Sequence, residues 1–169
     1  HTAILYALYS GGLRLSELLG LQLKDIHWDR NQIMVRDAKG KKDRSVMLSQ
    51  TLKEVLRHYF DQYQPRMWLF EGQGGNTPYS AKSVQQVVIQ HARKAGITKR
   101  VTPHVLRHCF ATHLLDNGTD VRFIQELLGH KDSKTTMIYT HITTKTLESI
   151  QSPLDQLALD DNRWKKTNV

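Results

Sequence analysis

Residues 103–118 read PHVLRHCFATHLLDNG, and this stretch predicts an amphipathic helix with a clear start and a clear end. Thr102 and Pro103 supply an N-cap and a proline at the first helical position, and Gly118 lies just past the last apolar residue. The apolar side chains follow helical spacing and form one stripe: Val105, Leu106, Cys109, Phe110, Leu114 and Leu115. The stripe predicts that this helix packs on the core of the protein.

Three basic side chains on the same helix form a candidate site. His104, Arg107 and His108 are spaced i, i+3 and i+4, so they are predicted to lie together on the face opposite the apolar stripe. His104 falls in the first turn, where unpaired N–H groups and the helix dipole favour an anion. A phosphate there would be held by Arg107 through two hydrogen bonds and by His104 through one.

The rest of the chain predicts a mixed α/β fold that is mostly α-helical, with one small antiparallel β-sheet. Strands over residues 33–36 and 45–48 form a hairpin with a basic tip, and residues 68–70 form a further short strand. The predicted helices cover residues 2–10, a short buried segment capped by Ser16, and residues 49–63, 80–95, 103–117 and 120–128. A short helix bearing Tyr139 and an amphipathic helix from Pro153 follow.

Charge points to a nucleic acid partner. The 169 residues include 24 Lys and Arg against 16 Asp and Glu, a net charge of +8, and the pI is about 9.7. The bases cluster in residues 36–44 and 91–108. The residues predicted to bind nucleic acid are Lys41, Lys42, Arg44, Lys99 and Arg100.

Composition also limits the class of protein. The length suits one domain, and no apolar run approaches the ~20 residues that a transmembrane helix needs. Cys109 is the single cysteine, so no disulfide framework is expected, and the chain suits a reducing cytoplasm. Because the chain begins at His1 within an apolar pattern, we interpret it as a fragment of a longer protein.

The sequence lacks the motifs of several other classes of enzyme. His104 and His108 are spaced to share a metal ion, but Arg107 lies between them and no HExxH motif is present. The sequence has no P-loop, no GxGxxG motif, no GxSxG elbow and no cluster of carboxylates suited to Mg²⁺. We therefore expect no metal and no other cofactor.

Four segments in order give the chain a family resemblance. They are GLRLSELLGLQLKDI (12–26), AKGKKDRSVML (38–48), TPHVLRHCFATHLLDNGTD (102–120) and IQELLGHKDSKTTMIYTHI (124–142). Together they resemble the catalytic domain of the tyrosine recombinases, or phage-type integrases, and are similar to Xer-like and mobile-element members. The resemblance implies the DNA breaking-rejoining catalytic fold over residues 1–150. It also implies that residues 151–169 form a C-terminal helix and tail that docks on a neighbouring protomer.

The resemblance assigns roles to six residues. Arg14 and Arg107 match the two catalytic arginines, and His104 matches the first histidine of the family's His-x-x-Arg pair. Three further residues lie at matching positions. Lys39 matches the family's mobile catalytic lysine, His130 matches a position that holds His or Trp in the family, and Tyr139 matches the nucleophile. Each role is an expectation from the resemblance.

The implied activity is site-specific DNA recombination or integration. Strands would be cleaved and rejoined through a 3′-phosphotyrosyl intermediate, without metal or ATP. The protein would be a monomer in free solution and a homotetramer on paired duplex DNA sites, in the cytoplasm and nucleoid of a prokaryote. The alternatives are a type IB topoisomerase-like activity, a non-enzymatic DNA-binding fragment of a decayed integrase, and a metal-free phosphodiesterase using His104 and His130.

Overall fold

A computed structural model describes residues 1–36 and 43–129 of the chain. Within those residues the fold is mostly helical with a three-stranded antiparallel sheet, which confirms the predicted fold class. The helices are α1 (Thr2–Ser10), α2 (Leu15–Gly20), α3 (Gln50–Tyr63), α4 (Ala81–Lys94), α5 (Pro103–Asp116) and α6 (Val121–Leu128), with a 3₁₀ turn at Leu23–Asp25. The strands are β1 (Ile26–His27), β2 (Gln32–Val35) and β3 (Arg44–Met47).

The sheet has the strand order β1-β2-β3, with Ile26 opposite Ile33 and Val35 opposite Arg44. The predicted hairpin is present, and each of its strands begins one residue earlier than predicted. The sequence did not indicate β1, because two residues are too few to show an alternating pattern. The predicted strand at residues 68–70 is wrong: Trp68 makes only an isolated bridge to Gln22.

Two apolar clusters hold these elements together. The larger cluster joins the buried sides of α1, α2, α3 and α4 to the inward residues of the sheet, such as Ile33, Val35 and Val46. The smaller cluster joins α5 to α6 through Phe110, Ala111, Ile124 and Leu128. Helices α1 and α5 also contact each other, so the second cluster is packed against the first.

The helices α3, α4 and α5 each begin with a hydroxyl cap, and the cap at Thr102 is as predicted. The hydroxyl of Ser49 accepts a hydrogen bond from the Leu52 N–H, and the hydroxyls of Ser80 and Thr102 do the same at the starts of α4 and α5. The short helix α2 corrects the prediction, because its N-cap is Arg14 and not Ser16. The helices predicted around Tyr139 and after Pro153 lie outside the described residues.

Gly12 determines how closely α5 approaches the turn between α1 and α2. Its φ is +55°, a left-handed conformation that favours glycine. A Cβ atom at this position would lie 2.4 Å from Cδ1 of Phe110. The absence of a side chain therefore lets α5 pack directly against the turn that precedes Arg14.

Candidate catalytic site

Arg14 is placed by the first turn of α2. Its backbone is extended, and its N–H donates to Oε2 of Glu17 at 2.7 Å. Its side chain turns to the same carboxylate, where Nη1 lies 2.7 Å from Oε1 of Glu17. Because 26% of the Arg14 side chain remains exposed, part of this side chain is accessible to solvent.

Arg107 is buried on α5, which corrects the prediction that it shares an exposed face with His104 and His108. Its side chain is only 4% exposed, whereas both histidines are exposed. Nη1 donates to the carbonyl of Gly12 and Nη2 to the carbonyl of Leu128, each at 2.5 Å. These bonds offset the cost of burying the charge and tie α5 to the turn before α2 and to the end of α6.

Glu17 joins three arginines at one point. Arg14 and Arg44 each lie 2.7 Å from Oε1 of Glu17, and Nη1 of Arg107 lies 3.7 Å from Oε2. We call Arg14, Glu17, Arg44 and Arg107 the arginine cluster. Burial alone would raise the pKa of Glu17, but hydrogen bonds from Arg44 and from the Arg14 backbone lower that pKa to about 2. Glu17 is therefore ionised at neutral pH.

The arginine cluster has three positive charges and one negative charge, a net charge of +2 in a mostly buried site. Charges taken out of water are stable only when they are paired and hydrogen-bonded. The cluster is therefore suited to a further anion at its exposed edge, where Arg14 faces solvent. A phosphate group fits, because guanidinium donors match the geometry of its oxygens.

Sequence reasoning missed Glu17 and did not predict the burial of Arg44. The signal for Glu17 was present, since a carboxylate three residues after Arg14 at a helix start can bond back to the N-cap backbone. Arg44 was predicted to bind nucleic acid, which implies an exposed side chain. Its side chain is instead 7% exposed and bonded to Glu17, and its Nε donates to the carbonyl of Leu127 at 2.8 Å.

The remaining predicted residues divide into two groups. His104, Lys99 and Arg100 are exposed, His104 in the first turn of α5 and the other two in the loop that leads to it. Five predicted residues lie outside the described part of the chain: Lys39, Lys41, Lys42, His130 and Tyr139. In the part that is described, no three His, Cys, Asp or Glu side chains are grouped as metal ligands. No helix of that part is long and apolar enough to cross a membrane.

Comparison with known proteins assigns the family. The model of the phage integrase family matches residues 1–146. The chain belongs to the phage integrase family. The putative integrase/recombinase y4eF of Sinorhizobium fredii is 43% identical to this integrase-family chain over 157 residues, which are 93% of the chain and 62% of the relative. Tyrosine recombinase XerA of Pyrococcus horikoshii is 42% identical over 147 residues, which are 85% of the chain and 51% of the relative.

Solved structures of integrase relatives have the same fold. The crystal structure of XerA recombinase matches with a TM-score of 0.76 and 38% identity, over 86% of this chain and 54% of that one. The structure of XerH bound to palindromic difH substrate matches with a TM-score of 0.73 and 30% identity, over 86% of this chain and 43% of that one. This integrase-family chain thus spans about half the length of the relatives that it matches.

Proposed function

We propose that the chain is the catalytic domain of a site-specific recombinase that cleaves and rejoins duplex DNA through Tyr139. The observation that carries the proposal is the convergence of Arg14 and Arg107, the two arginines expected to bind phosphate, on one carboxylate. Arg14 caps the start of α2 and Arg107 lies on α5, so the two residues are distant in sequence. The net positive charge of the cluster suits the scissile phosphate of DNA.

The proposed reaction is a pair of phosphoryl transfers. The phenolic oxygen of Tyr139 attacks the scissile phosphorus, a P–O bond to tyrosine forms, and the P–O5′ bond breaks to release a 5′-hydroxyl end. Attack by a 5′-hydroxyl on the phosphotyrosine reverses these bonds and rejoins the strand. Arg14 and Arg107 stabilise the negative charge on the non-bridging oxygens during both steps. The bond energy is conserved, so the cycle has no need of ATP.

Protons move with these bonds. We assign His104 to accept the proton of the Tyr139 phenol, because an imidazole nitrogen can act as a general base. Lys39 then donates a proton to the leaving 5′ oxygen, and His130 donates a hydrogen bond to the phosphate. The exposure of His104 in the first turn of α5 supports its part of the assignment.

Duplex DNA in the nucleoid of a prokaryotic cell is the proposed partner. The end of α4 and the following loop expose Arg93, Lys94, Lys99 and Arg100 in the eight residues before Val101. We call these four residues the basic loop. It leads directly into α5, so a DNA strand whose phosphates bind there would extend toward His104. The difH substrate held by XerH supports the same class of ligand.

A second copy of the chain is the other proposed partner, in a tetramer on paired DNA sites. Residues 151–169 are proposed to dock on a neighbouring copy through Leu154, Leu157 and Leu159. An apolar cleft of about 720 Å³ between α1, α4 and α5 supports this, since Leu5, Val88 and Leu106 line it. Deleting residues 151–169 should abolish tetramers on DNA in analytical ultracentrifugation, and unchanged tetramers would contradict the docking role.

A covalent adduct tests the proposed function. The chain is incubated with nicked duplex DNA in EDTA and separated on a denaturing gel, alone and joined to the N-terminal part of a relative such as XerA. We expect a protein–DNA band that disappears in Tyr139→Phe. Relaxation of supercoiled plasmid of any sequence would favour the topoisomerase. Free ends without an adduct would favour the phosphodiesterase, and DNA binding alone would favour the non-enzymatic fragment.

A further inference from the structure

Arg44 makes hydrogen bonds from all three of its guanidinium nitrogens. Nη1 and Nη2 lie 2.7 Å and 2.8 Å from the two carboxylate oxygens of Glu17, and Nε lies 2.8 Å from the carbonyl of Leu127. The two parallel hydrogen bonds to Glu17 form a fork, which is the geometry in which an arginine binds a carboxylate most strongly. The side chain therefore has a fixed position between α2 and the end of α6.

That position connects Arg44 to the surroundings of two proposed catalytic residues, Arg14 and Arg107. Arg44 is the first residue of β3, five residues after Lys39 in the sequence. Through Glu17 it reaches Arg14, and through Leu127 it reaches the end of α6, one residue before the Leu128 carbonyl that accepts from Arg107. A Cβ atom added to Gly129 would lie 3.1 Å from Cδ of Arg44, so the side chain also fills the space under that turn.

The charge of Arg44 matters as much as its contacts. Glu17 contacts Arg14 and lies near Arg107, so its negative charge competes with any phosphate for both arginines. Arg44 binds both oxygens of the same carboxylate and neutralises it. Without Arg44 the net charge of the cluster falls from +2 to +1, and Glu17 pairs more strongly with the two remaining arginines.

We propose that Arg44 is a positioning residue for phosphoryl transfer: by neutralising Glu17 it leaves the charges of Arg14 and Arg107 available to the scissile phosphate. This role rests on the proposed function. It differs from the prediction that Arg44 itself binds nucleic acid. It also predicts that the charge of Arg44 is needed only while Glu17 is ionised.

The test compares four variants of the chain. Arg44→Met removes the charge and keeps the length, Arg44→Lys keeps the charge and loses the fork, and Arg44→Met with Glu17→Gln removes both charges together. The control is Arg30→Met, because Arg30 is 72% exposed and its ion pair with Asp29 is long, at 3.8 Å. Circular dichroism first establishes which variants fold.

Two properties are measured on each folded variant. The first is the single-turnover rate of adduct formation at saturating DNA, together with the Kd for that DNA. The second is the Kd for inorganic phosphate, followed by the NMR signals of the arginine Nε–H groups. We expect Arg44→Met to slow adduct formation about a hundredfold and to weaken phosphate binding about tenfold, while its Kd for DNA stays within about twofold of Arg30→Met.

Rescue separates positioning from simple support of the fold. We expect the double variant to form the adduct at least about tenfold faster than Arg44→Met and to regain most of the phosphate affinity. Arg44→Lys should lie between Arg44→Met and the unaltered chain in both properties. A double variant no faster than Arg44→Met, or an Arg44→Met variant as fast as Arg30→Met, overturns the proposal. If Arg44→Met does not fold, a double variant more than about a hundredfold slower than the unaltered chain overturns it.

The phosphate measurement distinguishes this inference from the proposed function. If the unaltered chain forms no adduct but the phosphate affinities follow the predicted order, recombination fails, while the neutralisation of Glu17 by Arg44 in phosphate binding stands. If the adduct forms but phosphate affinity does not respond to Arg44 and Glu17, the role of Arg44 fails alone. A chain that binds no inorganic phosphate also overturns the inference.

Discussion

At the scale of single residues, the site depends on one carboxylate that is shared by three guanidinium groups. Glu17 bonds to Arg14 and Arg44 and lies 3.7 Å from Arg107. An ionised carboxylate in this position holds the arginines in a fixed arrangement before any substrate arrives. Donors that are preorganised in this way stabilise developing charge without further reorganisation.

The low pKa of Glu17 predicts how the stability of the protein changes in acid. Its pKa is about 2 in the folded chain and 4.5 in the reference state, so its ionised form stabilises the fold on the order of 3 kcal/mol at neutral pH. A lowered pKa gives stability that is complete above pH 4.5 and lost as the pH falls toward 2. Urea midpoints from pH 7 to pH 2 should therefore show Glu17→Gln less stable than the unaltered chain, with the difference shrinking below pH 4.5. A difference that is constant across this range would contradict the assignment.

At the scale of elements, the site depends on close packing of α5 against the turn between α1 and α2. The Gly12 carbonyl accepts from Arg107, and the missing side chain of Gly12 makes room for Phe110. Arg14 begins the next helix two residues later. The same turn therefore sets both the distance between the two helices and the distance between the two arginines.

Substitution of Gly12 tests this packing. Gly12→Ala places a methyl group 2.4 Å from Cδ1 of Phe110 and forces a φ of +55° on an L-residue, so we expect a loss of roughly 2–4 kcal/mol in the free energy of unfolding. Gly20→Ala is the matched control, because nothing lies within 4 Å of its Cβ position. We expect the control to change that free energy by less than about 1 kcal/mol in chemical denaturation. Equal effects of the two substitutions would show that the close approach is unimportant.

Local signals in the sequence predicted the helices well and the site only in part. Thr102 caps α5 as predicted, and α3 and α4 begin within one residue of their predicted starts, because a cap depends on residues only three positions apart. Burial of Arg107 could not be predicted in this way, since it depends on the carbonyls of Gly12 and Leu128 from distant elements. Spacing along a helix shows which residues share a face, but it does not show that a charged residue on that face is buried. Buried helix positions are normally occupied by apolar residues.

At the scale of the whole molecule, the net charge is +8, and the positive side chains occupy both buried and exposed positions. The arginine cluster is mostly buried and contains its own counter-charge, whereas the basic loop is exposed. Exposed bases bind phosphates of any sequence and release counterions. The two regions should therefore differ in what they contribute: the basic loop to affinity for DNA and the arginine cluster to the rate of cleavage.

The salt dependence of DNA binding tests this division. In Lys99→Gln with Arg100→Gln we expect the slope of log Kd against log salt to fall by about 2, because each lost phosphate contact removes about 0.9. The control is Lys24→Gln with Arg30→Gln, which removes the same charge from exposed positions outside the two basic clusters. The rate of adduct formation at saturating DNA should be unchanged in both pairs. Equal slopes in the two pairs would argue against a contact between the basic loop and DNA.

In the proposed mechanism, the arginine cluster neutralises the charge of the scissile phosphate. The direct test is the single-turnover rate of adduct formation on DNA with either a normal phosphate or an uncharged methylphosphonate at the cleavage position, for the unaltered chain and for Arg14→Met. We expect Arg14→Met to be about a hundredfold slower than the unaltered chain on phosphate. On methylphosphonate, which has no charge to neutralise, we expect the two rates to agree within about threefold. The same hundredfold difference on both substrates would contradict the account.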